Sequence, residues 1–379
     1  MRFKINLSLS LVLVLLLPVT VFAQTEIGGE VKTKTMTVIK EDTDFATVVQ
    51  EYLTLEVLIP QSEKTSAYAE VDLKTNPAAE NSLNQPLPNG ELISSVKKLY
   101  IKRKVGSFDV SAGRQPISWS FGSLLNPVDY NLGAEAMEET GSAKYVDAVE
   151  VYYPVTWNTS ITAITSLTNG TPVYGEEGEE IQGLNKEMKY GLRGRTLLKG
   201  YDLTLNYVQQ EGGDNQRLGA TAKGDLGPLG VYGAGSYYFA AEKPVYLLGT
   251  DYSFFPGGGD KRLMMQLEYL KDEAGVVSNI LSSFAGGGLS LPEEMDLILG
   301  MTSYDINDFA NIKLMGIYYP EDGSGLVIPE YSNNLGSNLQ FTMRGSWFAG
   351  AEEEVLGPKP TTTGKIINGN LEIELSYSF

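Results

Sequence analysis

The 379-residue chain contains no cysteine and no histidine. Zinc sites built on thiolate or imidazole, cysteine nucleophiles, and serine or aspartate catalysis relayed through histidine all need those side chains, so most hydrolase mechanisms are excluded. No disulfide can form, which suits a chain that crosses an oxidising space without needing covalent staples. Basic charge is also scarce: 29 Lys and Arg against 47 Asp and Glu leave a formal charge of −18. That balance argues against nucleic-acid binding, which needs a net basic face. Beyond Leu17 no uncharged apolar run reaches the ~20 residues of a membrane-spanning helix, so any membrane role of the remaining chain falls to strands.

The apolar run that does exist lies at the start. Arg2 and Lys4 precede Ile5 to Leu17, and Val21-Phe22-Ala23 ends on a small residue. Residues 1–23 read as a secretory signal cleaved after Ala23, with an uncleaved anchor as the alternative. The rest, residues 24–379, shows no linker, charge block or composition shift that would divide it into domains.

What is present is alternation of period two in a chain rich in Gly, Tyr, Thr and Val. At the end, Leu371, Ile373, Leu375, Tyr377 and Phe379 share one face while Glu372, Glu374, Ser376 and Ser378 share the other. The spacing predicts strands at 27–40, 44–59, 64–75, 92–104, 106–113, 145–153, 157–169, 187–198, 201–211, 215–225, 228–241, 244–255, 261–272, 293–304, 308–319, 324–331, 337–349 and 365–379. Many reach the ~9 to 11 residues that a tilted strand needs to cross a bilayer. Short joints alternate with long ones, the pattern of periplasmic turns and external loops, and tyrosines and phenylalanines cluster near strand ends as interfacial girdles do. The expected fold is all-β: one transmembrane antiparallel β-barrel of about eighteen strands, sixteen being the next choice.

The final Leu375-Ser-Tyr377-Ser-Phe379 resembles the C-terminal targeting signal of bacterial outer-membrane barrels. Gly113-Arg114-Gln-Pro-Ile-Ser-Trp119, followed by Leu124-Leu-Asn-Pro-Val-Asp129, resembles a segment of porin-like and alginate-export-type outer-membrane proteins, with Ser120 where that pattern has Gly. The resemblance implies an outer-membrane location after secretion, contact with outer-membrane lipid, and insertion by the barrel-assembly machinery through the C-terminal strand bearing Tyr377 and Phe379. A homo-oligomer is compatible with it. It does not extend to alginate as a substrate.

If apolar residues face lipid, their neighbours line the pore. Lys98, Lys102, Lys189, Arg193, Arg195, Arg217 and Lys223 then form a basic arc, and Glu70, Asp72, Asp296, Glu372 and Glu374 an acidic arc opposite it. Opposed arcs would set a field across a constriction, whereas a one-residue slip of a strand would exchange its faces. The joint from Arg114 to Lys144 is the third on the long-loop side and far exceeds ordinary loop length. By likeness to general porins, whose third loop folds inward, Glu135, Glu138 and Glu139 would be constriction acids, with Arg114 at the loop base. Trp119 and Asn126-Pro127 would pin its turn, while an exposed acidic loop is the plainer alternative.

The acidic runs at Glu176 to Glu180 and Glu352 to Glu354 read as solvated external loops, a weaker alternative being divalent-cation binding. Gly257-Gly-Gly259 and Gly286-Gly-Gly288 lack the Lys-Ser/Thr of a phosphate loop and read as turns. No cofactor or metal is expected. The leading expectation is a non-enzymatic, porin-like channel for small hydrophilic or charged solutes. A plugged structural or adhesive barrel, a carboxylate-only barrel enzyme and a secreted soluble β-protein are the alternatives.

Overall fold

The computed structural model describes residues 25–40, 45–62, 64–75, 92–130, 145–167, 188–210, 216–258, 261–276, 292, 294–360 and 366–379. Among these, eighteen long strands form one antiparallel sheet that closes on itself. They are β1 (Glu26–Lys40), β2 (Phe45–Ser62), β3 (Thr65–Thr75), β4 (Leu92–Val105), β5 (Phe108–Pro116), β6 (Tyr145–Pro154), β7 (Thr159–Leu167), β8 (Met188–Leu198) and β9 (Tyr201–Gln210). Then come β10 (Arg217–Leu226), β11 (Leu229–Tyr238), β12 (Lys243–Phe254), β13 (Leu263–Asp272), β14 (Met295–Asn307), β15 (Ala310–Tyr318), β16 (Gly325–Asn334), β17 (Leu339–Ala349) and β18 (Ile366–Ser378). A two-residue bridge, Lys359–Pro360, pairs with the start of β18. Each predicted strand has its counterpart, with ends moved by at most three residues.

Each strand pairs with its neighbours in sequence, and β1 pairs with β18 from Glu30↔Ser378 to Lys40↔Ile367. Closure leaves no free edge, so every ladder has a partner on both sides. Phe379 completes the seam: its N–H donates to the Gly29 carbonyl at 2.9 Å, and the Gly29 N–H donates to the Phe379 carbonyl at 3.0 Å. Lys199 and Gly200 both have positive φ, 52° and 87°, as a two-residue hairpin turn requires. Pro329, which has no N–H to give, sits where the β16–β17 ladder is interrupted between Val327↔Trp347 and Glu330↔Arg344.

The alternation sorts the two faces. Ile101, Leu192, Leu205, Leu248, Leu267, Leu314 and Leu375 stand exposed on the outside. Such a continuous apolar exterior is stable against hydrocarbon and costly against water. The inside holds two kinds of wall. From β1 to β8, and again on β17 and β18, the inward rows are mainly polar and charged. From β11 to β16 they turn apolar, with Leu247, Leu270, Leu297 and Leu299 fully buried. Something must cover that apolar wall from within.

Candidate channel constriction

The cover is the segment after β5. Pro116 ends the strand, and residues 117–130 turn into the barrel, where Ile117, Trp119 and all of Ser123 to Tyr130 are buried. Leu124, Leu125 and Val128 pack in one cluster with Tyr232, Leu247, Leu270, Leu297, Leu299, Met315, Ile317 and Ile328. Ile117, Trp119 and Tyr130 pack with Val146, Ala148, Ile164 and Val208. Burial of this much apolar side-chain surface holds the loop on the β6–β16 wall.

The loop's shape is set by its own polar residues. Asn126 donates from Nδ2 to the Trp119 carbonyl at 3.1 Å and accepts the Val128 N–H on Oδ1 at 3.1 Å. The carboxylate of Asp129 accepts the Trp119 N–H at 2.5 Å and the Tyr130 N–H at 2.7 Å. Together they tie residue 119 to residues 126–129, and Pro127 fits the turn between. Trp119 meets Tyr130 edge-on, with ring centroids 5.4 Å apart.

Wall residues then grip the loop's backbone. Arg217 donates to the carbonyls of Asp129 and Tyr130, the latter at 3.0 Å, and Lys189 Nζ donates to the Tyr130 carbonyl. Ser236 Oγ and the Tyr238 hydroxyl both donate to the Pro127 carbonyl at 3.0 Å. The Glu268 carboxylate, itself fully buried, accepts the N–H groups of Leu124 and Leu125 at 2.7 and 3.4 Å and the Tyr232 hydroxyl at 2.7 Å. Gln266 donates to the Gly122 carbonyl at 3.0 Å. Buried backbone groups with no strand partner are thereby satisfied by side chains. Close approach requires glycine in the wall: a Cβ at Gly191 would lie 2.7 Å from Tyr130, and one at Gly219 would lie 2.9 Å from Val128. Burial pushes the Tyr130 phenol up to about 12, against its Ser166 hydrogen bond and the Arg217 charge, so it remains a donor.

A second segment, 350–358, also turns inward. The Val355 N–H donates to Asp322 at 2.6 Å and the Leu356 N–H to Ser324 at 2.9 Å. Leu356 joins the same apolar cluster as Leu124 and Leu125.

The facing wall is charged and less covered. On β1, Lys34 pairs with Glu372 at 2.7 Å and Lys32 with Glu374 at 3.2 Å. Arg344 pairs with Glu330, which also holds Lys313 at 2.9 Å. A β-bulge at Glu70/Val71 leaves Lys97 as the extra residue of β4, so consecutive lysines reach consecutive inward acids: Lys97 meets Asp72 at 2.6 Å, and Lys98 meets Glu70. The Lys97 and Lys98 side chains keep 23% and 29% of their surface accessible, while Glu70 keeps 6%.

The sequence-predicted site residues fall into several groups. Lys98, Lys102, Arg193, Arg195, Lys223, Glu70, Asp72, Glu372 and Glu374 lie on inward rows. Several of these charges are paired with near neighbours instead of standing in two opposed arcs: Lys98 with Glu70, Glu372 with Lys34, Glu374 with Lys32, and Arg195 with Asp202 at 2.6 Å. Lys189 and Arg217 point inward but lie buried beneath the loop, so they anchor it and do not line open space.

Asp296 is a correction. Its neighbours Met295 and Leu297 are the inward residues, buried on the loop cluster, which puts Asp296 on the outward row opposite Lys271. The rule that polar means lumen fails where the lumen is filled by apolar packing. Arg114 is also outward, opposite Asp147 at 3.5 Å, so it is no base for the constriction. Trp119 is buried between Tyr130 of the loop and the wall residues Val146, Ala148, Ile164 and Val208. Glu135, Glu138 and Glu139 lie outside the described residues. Tyr377 faces outward and Phe379 lies at the seam.

Sequence reasoning missed Glu268, Gln266, Asp129 and Ser236. The available signal was Glu268 as the lone acid within the apolar run Leu263-Met-Met-Gln-Leu-Glu-Tyr-Leu270.

No known family's sequence pattern matches the chain, and no curated protein matches it. Solved structures do. Acinetobacter baumannii OccAB1 is 10% identical with a TM-score of 0.58, covering 94% of this chain and 96% of that one. Acinetobacter baumannii OccAB3 is 10% identical with a TM-score of 0.56 over 94% and 99% of the two chains. Pseudomonas putida OprB is 10% identical with a TM-score of 0.52 over 94% of each. At such identity the likeness is one of fold: the chain has the eighteen-stranded fold of bacterial outer-membrane β-barrels.

Proposed function

We propose that the protein resides in a bacterial outer membrane and acts there as a porin-like channel for passive diffusion of small hydrophilic or charged solutes. It does no covalent chemistry. Residues 117–130 act as the constriction loop of the 114–144 joint, with 350–358 packed beside them. Residues 1–23 serve as the secretory signal, and the strand ending at Phe379 as the segment read by the assembly machinery.

One observation carries the reading. The loop is seated on one side of the barrel, on the apolar wall from β11 to β16, while on the opposite inward rows of β1–β4 and β18 the lysines Lys32, Lys34, Lys97 and Lys98 keep 20–29% of their side-chain surface accessible over more deeply buried acids. A plug that filled the lumen would bury both walls alike. Paired charges along the remaining path offer polar solutes replacement for lost hydration without a net charge barrier. The assignment is tested by osmotic swelling of proteoliposomes in neutral solutes of graded size. Fast swelling in small sugars that falls off with solute mass supports a sieving pore, and swelling no faster than protein-free liposomes contradicts it.

A further inference from the structure

The inner wall of β1–β4 carries a recess that the constriction does not use. Side by side across the four strands, Gly28, Glu56, Glu70 and Lys98 form one tier, and Glu26, Leu58, Tyr68 and Tyr100 form the next tier toward the rim of short turns. Gly28 has no side chain, so the upper tier has a gap flanked by the carboxylates of Glu26 and Glu56. These residues, with Ile27, Val57 and Ala69 of the alternate rows, line an open cavity of about 490 Å³. Its lower wall is aromatic, because the Tyr68 and Tyr100 rings stack with centroids 4.7 Å apart and planes within 13°.

The charges within the recess are unequal in what they have left to offer. Glu70 is held by Lys97 and Lys98, and Lys98 is neutralised by that same contact. Glu26 and Glu56, both exposed, make no hydrogen bond or close ion pair among the described residues, and Glu56 also feels the charge of Lys98 across the recess. A cavity with two carboxylates free of hydrogen bonds on one side and a tyrosine stack on another matches a cation with an apolar body. The carboxylates supply charge-assisted acceptors and the rings a flat surface with a negative face.

We infer that this recess is a binding subsite for small organic ammonium ions, at the end of the channel where the short turns, Glu26 and Phe379 lie. The inference rests on the channel reading for its purpose but not for its test, because binding is measured without conduction. The refolded barrel in zwitterionic detergent is titrated calorimetrically with benzylammonium chloride, with benzyl alcohol as the neutral match. The variants are E56Q, E26Q/E56Q and D225N. Asp225 is an exposed acid on an inward row at the same rim, on β10, remote from the recess.

Saturable binding of benzylammonium but not of benzyl alcohol is expected, weakened roughly tenfold by E56Q, abolished by E26Q/E56Q and unchanged by D225N. Binding that survives E26Q/E56Q overturns the site. Equal loss in D225N also overturns it, since the effect would then be the general field of an acidic barrel. A barrel that passes no current yet binds in this pattern would refute the channel reading and leave the subsite standing. A conducting barrel without such binding would do the reverse.

Discussion

The carboxylate of Glu268 on β13 accepts the backbone N–H of Leu124 at 2.7 Å, joining wall and inner loop across 144 residues of sequence. It also takes the Leu125 N–H, the Tyr232 hydroxyl and the Gln266 side-chain amide, so one buried side chain satisfies four donors. Replacing Glu268 by Ala leaves buried amides without an acceptor, a cost of about 2 kcal/mol. That loss falls on the loop and not on the strand ladders. E268A is therefore expected to yield a folded barrel whose single-channel current is larger or flickers, while E268Q, which keeps an acceptor oxygen, stays closer to the parent. Recording both variants at equal salt checks this.

Arg217 does the corresponding work at the loop's other end, donating to the Asp129 and Tyr130 carbonyls. R217M should lower the melting temperature of the detergent-folded protein, because the buried Asp129 carbonyl loses its charged donor at roughly 1.5–3 kcal/mol and the Tyr130 carbonyl is left with Lys189 alone. K102M, on an inward row outside the loop's grip, should leave melting unchanged. Thermal unfolding followed by circular dichroism separates the two.

Selectivity should respond to the bulge lysines. Lys97 and Lys98 balance Asp72 and Glu70 on the open wall, so K97M/K98M leaves net negative charge there. The reversal potential under a salt gradient is expected to move toward cation preference, and E70Q/D72N should move it toward anions. The shifts should shrink as ionic strength rises.

The seam between β1 and β18 tolerates no side chain at Gly29, where a Cβ would sit 2.4 Å from the Thr54 carbonyl oxygen and 2.7 Å from the Phe379 ring. G29V should impair closure. The expected outcome is a reduced fraction of the compact, heat-modifiable form on cold gels, with G106A, in a turn with open space around it, serving as a milder comparison.

The strand set was legible because every strand must present apolar residues outward, whatever lies inside. The outward rows holding Leu192, Leu205 and Tyr377 alternate cleanly with inward polar residues, and their phases could be read directly. On β14 the inner row, Met295, Leu297 and Leu299, is as apolar as the outer one, because it meets the loop and not water. There the polar residue, Asp296, falls on the outside and misdirects the reading. The bulge that turns Lys97 inward was likewise hidden, since an extra residue changes phase without changing composition. The loop's special status was visible in its length, but its anchors Glu268 and Arg217 belong to distant strands that only the closed fold brings to it.

The most direct test is single-channel recording of the refolded protein, residues 24–379, in a planar bilayer under symmetric salt. The account predicts stable, stepwise, ohmic conductance from a barrel whose inner loop covers one wall and leaves the other accessible. A protein that is folded and heat-modifiable, inserts into the bilayer, and carries no current would contradict it.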